Sequence, residues 1–230
     1  MRKNDGTSNN VGEFPDRTGL PFVGRITGSV THELSNVIST IEQVAGLLAD
    51  LVETNPVLED GLTARLHDIS GRIERQTERG TVLIRELNFF SHLSDKESAE
   101  FDLTEVVRNI AVLSRRFANL QKKEILTTGL EHDVMIESDP LMISQLVFNA
   151  LMIGLQGAES AEPVTVAVTK CDQHATITVN SKTSIGSPHL EASESLQRLA
   201  AELKCEVESN VVTGELRISV KCPPRRSTAE

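Results

Sequence analysis

An imidazole, a carboxylate and an amide stand close together at His32, Glu33 and Asn36, in the run Ser29-Val30-Thr31-His32-Glu33-Leu34-Ser35-Asn36. A neutral imidazole has one N–H and one free lone pair. The free nitrogen is a nucleophile when something holds the proton on the other. Glu33 is the adjacent carboxylate that can do this. Asn36 follows His32 at i+4, on the same helical face, where its amide can orient a water or a phosphoryl oxygen beside the ring. Alone, an exposed helical histidine is an ordinary solvated residue. The three matter only if a scaffold presents them together.

The apolar pattern supplies that scaffold. Phe22, Ile26, Val30, Leu34, Val37, Ile41, Val44, Leu48 and Leu51 recur at steps of three and four, the stripe of a long helix settling into heptads. His32 is two residues from both Val30 and Leu34. At ~100° per residue it lies about 200° from each, so it faces away from the seam. Asn55-Pro56 ends the helix, because the residue before proline is pushed out of the α region. Leu62, Leu66, Ile69, Ile73, Gln76, Gly80, Leu83, Leu87 and Phe90 form a second stripe, polar or small at Gln76 and Gly80. Two long helices joined by a short turn make an antiparallel hairpin. One hairpin has too little interior to bury both stripes. A second copy closes a four-helix bundle, so residues 20–95 are expected to dimerise.

The remaining chain alternates helices and strands. Residues 1–19 have the composition of a disordered tail, and Ser94–Ser98 is a polar break. A helix is expected from Leu103 to Gln121, with Val106, Val107, Ile110, Leu113 and Phe117 inward. Short strands are expected at Glu124–Thr128 and Asp133–Glu137. Asp139 and Pro140 open a helix running to Gln156, with Met142, Leu146, Asn149 and Ile153 on one face. Alternating β-branched residues predict strands at Val164–Thr169 and Ala175–Asn180. A helix over Glu191–Leu203 and strands at Cys205–Ser209 and Glu215–Cys222 complete the series, which reads as a sheet layered on helices.

Composition narrows the function classes. The chain has 230 residues, 39% hydrophobic and 24% charged, with a net charge of -10 and no Trp or Tyr. That balance disfavours nucleic-acid binding, which uses a basic surface and aromatic platforms. Three cysteines without a CxxC pair suit a reducing compartment and no zinc site. No long apolar run suggests a membrane span, and a cytoplasmic location is expected. Asp133, Glu137 and Asp139 read as a solvated strand edge and helix cap. His67, His92, His132, His174 and His189 lack metal-ligand spacing, so no metal is expected. Arg65, Arg72, Arg75, Arg79 and Arg85 read as a solvated, salt-bridged face. Cys205 and Cys222 read as small apolar strand residues.

An ordered series of motifs resembles the core of bacterial sensor histidine kinases. His32-Glu33-Leu34-Ser35-Asn36 resembles their phospho-acceptor box. Leu87-Asn88-Phe89-Phe90-Ser91-His92-Leu93 is similar to the end of their second helix, and Phe101-Asp102-Leu103 with Val106-Val107 to the entry of their ATP-binding domain. Asp139-Pro140-Leu141-Met142-Ile143-Ser144-Gln145-Leu146-Val147-Phe148-Asn149 resembles their N-box, and Ser195–Ile218 with Pro223 their closing elements. The resemblance runs from about residue 22 to 223. It implies an α+β protein: a hairpin over 20–95 forming a dimeric four-helix bundle, then a GHKL-type α/β sandwich over 96–230.

The departures point away from kinase activity. The family's second N-box Asn holds the magnesium of ATP, and Ile153 stands there; an alkyl group offers no oxygen to Mg²⁺. The family's D-x-G-x-G is replaced by Asn180-Ser181-Lys182-Thr183-Ser184-Ile185-Gly186. The lid and later glycines, whose backbone N–H groups cradle phosphates, are missing. Asn149 and Asn180 are remnants of a degenerate site, and no cofactor is expected. Val37 replaces the family's usual proline after the acceptor box, so a straighter helix is expected there. The resemblance implies a cytoplasmic phosphoprotein of two-component signal transduction. It would be a histidine phosphotransferase taking a phosphoryl group from a response-regulator receiver aspartate onto His32, with Glu33 orienting the ring and Asn36 the phosphoryl group. A receiver phosphatase using Asn36 and a non-catalytic scaffold or inhibitor are the alternatives.

Overall fold

The computed structural model describes residues 19–54, 60–95, 97–130, 134–159, 162–171, 174–182, 194–210 and 213–221. Residues 1–18 of the tail expected over 1–19, the Asn55-Pro56 break, His132, Asp133, residues 183–193 with His189, Cys222 and Pro223 lie outside them. The fold is α+β. Helix α1 (Leu20–Thr54) and helix α2 (Asp60–His92) pack as the hairpin. The α1 seam is buried at Phe22, Ile26, Val30, Val37 and Val44. It meets Ile69, Leu83 and Phe90 of the α2 stripe, also buried. Gly80 is small for a reason: a Cβ there would stand 3.2 Å from Val37 Cγ1. A larger residue there would push the Val37 side chain aside by a few tenths of an ångström.

The rest forms a sandwich. Strand β1 (Ala99–Asp102) leads into α3 (Leu103–Leu120), β2 (Ile125–Thr128), β3 (Met135–Ser138) and α4 (Pro140–Gly157). Then follow β4 (Val164–Cys171), β5 (His174–Ser181), α5 (Glu194–Glu202), β6 (Glu206–Asn210) and β7 (Glu215–Lys221). The main sheet runs β2-β4-β5-β7-β6, parallel only at β2–β4. Val168, Ile177, Ile218 and Val207 lie in one cross-strand row, presenting apolar side chains to the helices. The β1–β3 pair is a separate antiparallel ribbon. Asp102 ties it to α3, accepting from the N–H of Thr104 and of Val134, both at 2.9 Å.

Several boundaries differ from expectation. Strand β1 was not anticipated, because four residues declare themselves only by pairing with distant β3. The strand expected over 133–137 occupies Met135–Ser138, in register with β1. Cys205 lies just before β6 rather than in it. Helices α3 and α5 end without glycine: Lys122 and Lys204 take left-handed φ of 55° and 56°. Helix α4 is the one described helix long and apolar enough to cross a bilayer, and 67% of it is buried beneath α3, α5 and the sheet.

Candidate functional site

Helix α1 presents His32 because its stripe is committed to the hairpin interior. His32 and Asn36 are both exposed, and Asn36 Nδ2 lies 3.2 Å from His32 Nδ1. The i+4 spacing therefore yields a contact, as the pattern predicted. With the amide nitrogen donating, Nδ1 accepts and the ring proton sits on Nε2. With the amide turned, Oδ1 accepts from Nδ1–H and the lone pair is freed on Nε2. The same amide can thus meet either tautomer of the ring. Ser35 Oγ donates to Thr31 O at 3.0 Å and Thr40 Oγ1 to Asn36 O at 2.8 Å, so both hydroxyls are turned back onto the helix.

Glu33 departs from its expected role. Its carboxylate does not meet the neighbouring ring. It is 8% exposed and accepts from Arg79 Nη2 on α2. Successive helical residues point about 100° apart, so the carboxylate that sequence places beside His32 is turned into the interhelical space. Arg79, expected on a solvated face, is half-exposed and reaches across the hairpin to pair a mostly buried charge. Alternating charges on α2 gave no sign of which arginine would do this.

The base of the hairpin is joined to the sandwich. Phe22 of α1 lies 5.5 Å from Phe90 of α2 and 5.3 Å from Phe148 of α4, centroid to centroid, and Phe117 of α3 lies 5.5 Å from Phe148. The Arg25 guanidinium covers the group, 4.8 Å from the Phe148 ring and 5.4 Å from that of Phe117, within cation–π range. Higher up, buried Asn109 of α3 donates to Glu86 O at 2.8 Å and to Glu86 Oε2 at 3.0 Å. The hydrophobic cluster runs from Phe22, Ile26 and Leu83 into the sandwich without interruption. The polar break between α2 and β1 gave no hint of this.

Ile153, which the resemblance sets at the metal-ligand position, is an alkyl side chain with no oxygen to offer. It is 7% exposed and belongs to the core cluster. The next residue, Gly154, is packed so tightly on the sheet that a Cβ would stand 2.9 Å from Val179 Cγ1 and 3.0 Å from Val164 Cγ1. Asn149 is half-buried on α4. Asn180 is an exposed ladder residue of β5, paired in register with Thr165 and Glu215. Among the described residues, no three His, Cys, Asp or Glu converge as a metal site. Glu137 is exposed on β3, and Asp139 caps α4 by accepting from Met142 N–H at 2.9 Å.

No protein-family profile and no curated protein matches the chain. Among solved structures, the catalytic domain of the histidine kinase ThkA is 14% identical over 56% of this chain and 100% of that one, with a TM-score of 0.46. The histidine kinase AdeS of Acinetobacter baumannii is 13% identical over 85% of this chain and 98% of that one, with a TM-score of 0.44. A bacterial phosphotransferase is 14% identical over 86% of this chain and 95% of that one, with a TM-score of 0.46. The motifs of the chain resemble the core of bacterial sensor histidine kinases, and these solved chains are similar to it at 13–14% identity.

Proposed function

We propose that the chain is a dimeric histidine phosphotransfer protein of a two-component phosphorelay, working in the cytoplasm without ATP. The observation that carries this reading is the exposed His32 ring with the Asn36 amide on Nδ1, on a hairpin whose attached sandwich has an alkyl core residue, Ile153, at the metal-ligand position. In the reaction, the free ring nitrogen attacks the phosphorus of a receiver's aspartyl phosphate. An N–P bond forms, the acyl phosphate P–O bond breaks, and the aspartate leaves as a carboxylate. The reverse step on a second receiver passes the group on. An acyl phosphate is already activated, so proximity and ring orientation carry the catalysis.

Exposed Ile38, Leu47 and Ile84, at 56%, 49% and 59%, support dimerisation. They leave apolar surface on the hairpin that a second copy would cover. The same Asn36 amide favours one alternative, placement of water for hydrolysis of the receiver's phosphate.

The test follows radiolabel from a phosphorylated receiver. Label appearing on the chain and lost in His32→Ala supports transfer. Release of inorganic phosphate that needs Asn36 but survives His32→Ala makes the chain a phosphatase. If neither occurs, a scaffold remains.

A further inference from the structure

A cleft of about 510 Å³ opens between α2 and α3, lined by Glu33, Arg75, Glu78, Arg79, Val82, Leu83, Val112, Arg115 and Asn119. Each helix contributes one face. Arg75, Arg79 and Val82 lie at steps of four and three on α2, and Val112, Arg115 and Asn119 at steps of three and four on α3. The wall and rim differ. Leu83 is buried and Val82 and Val112 are half-buried, while Arg75, Arg115 and Asn119 are exposed. Arg79 is engaged by Glu33. Among the described residues, Arg75 and Arg115 make no ion pair or hydrogen bond.

We propose that this cleft binds an organic phosphate, an anionic head on a planar or apolar body, at a place separate from both His32 and the degenerate nucleotide site. Two guanidiniums facing one space from different helices form forks that match phosphate oxygens in bidentate geometry. Asn119 adds an amide donor. Inorganic phosphate alone would leave most of the cleft unfilled, and the apolar wall favours a ligand with a body to lay on it. Glu78 on the same rim opposes a diffuse anion field. Selectivity therefore comes from Arg75 and Arg115 acting together.

The experiment titrates the full-length chain with adenosine monophosphate, adenosine and inorganic phosphate, without divalent metal, by calorimetry and amide NMR shifts. The expected result is saturable binding of the monophosphate, with shifts on α2 and α3. It should be at least about tenfold tighter than either fragment and weakened about tenfold or more in Arg75→Ala/Arg115→Ala, as loss of charge-assisted hydrogen bonds implies. Arg198→Ala, at an exposed position of α5, and Asn149→Ala are expected to bind like the parent. The proposal is overturned if no probe saturates, if adenosine or inorganic phosphate binds as well as the monophosphate, or if the arginine variants bind normally. It is also overturned if Asn149→Ala abolishes binding, which would place the ligand at the remnant of the nucleotide site. An acidic peptide that binds where the monophosphate does not would make the cleft a protein-docking surface instead.

Discussion

Glu33 and Arg79 form an ion pair across the hairpin, immediately beside the exposed face that carries His32. The carboxylate is almost wholly buried and its partner is half-exposed, so the pair is unequal. Removing the guanidinium strands a charge, whereas removing the carboxylate frees a solvated arginine. Arg79→Ala is expected to lower stability by about 1–3 kcal/mol, and Glu33→Gln by less. Replacing both with leucine should recover most of the loss. Urea unfolding followed by far-UV circular dichroism measures this, since the chain has no Trp or Tyr.

The Asn36 amide lies against Nδ1 of His32 and can serve either tautomer, donating to a bare Nδ1 or accepting from Nδ1–H. Asn36→Asp offers Nδ1 only an acceptor and is expected to hold the proton there, leaving Nε2 free. Ring nitrogen shifts in ¹⁵N NMR read this directly. Asn36→Ala removes the partner and is expected to slow label transfer from a phosphorylated receiver by roughly tenfold to a hundredfold, at about 1.4 kcal/mol per factor of ten. Transfer at the parental rate in Asn36→Ala would remove Asn36 from the mechanism.

Phe22 belongs to the hairpin by sequence and to the sandwich by packing. Phe22→Ala is expected to cost about 3–5 kcal/mol. The unfolding transition should also lose cooperativity, because Phe22 is the ring that links Phe90 of the hairpin to Phe148 of the sandwich. Gln43→Ala, an exposed change on the same helix, is expected to alter stability by less than about 0.5 kcal/mol.

Gly154 runs against helix propensity. Alanine there gains about 1 kcal/mol of propensity. Its Cβ would collide with Val179 and Val164, at an overpacking cost of about 1–3 kcal/mol. The net expectation is destabilisation by about 1 kcal/mol. Val179→Ala in the Gly154→Ala background should relieve part of it. Stabilisation by Gly154→Ala alone would show that the sheet yields.

Cys205 is buried, its thiol donating to Leu203 O at 3.7 Å. Burial pushes its pKa up from 9.0 to about 11. The folded state thus holds a proton that the unfolded chain releases first. The stability contribution is complete below about pH 9 and is lost as pH rises toward 11. The alkaline fall in melting temperature is expected to be shallower in Cys205→Ala than in the parent. Equal slopes would assign the fall to other groups.

The sequence by itself determined the elements whose signals are local. The α1 and α2 stripes, the Asp139-Pro140 helix start and the alternation of β4, β5 and β7 follow from side-chain period and cap chemistry, which neighbouring residues specify. The His32–Asn36 contact was equally legible, because i+4 on a helix is a fixed geometry. Tertiary structure decided the rest. It turned Glu33 from the ring to Arg79, 46 positions away in the chain, and paired β1 with β3. It also gathered Phe22, Phe90, Phe117 and Phe148 from four helices and brought Arg75 and Arg115 to the lining of one cleft. Each joins residues far apart along the chain. Periodicity says which face of a helix is apolar, and only packing says which other element that face meets.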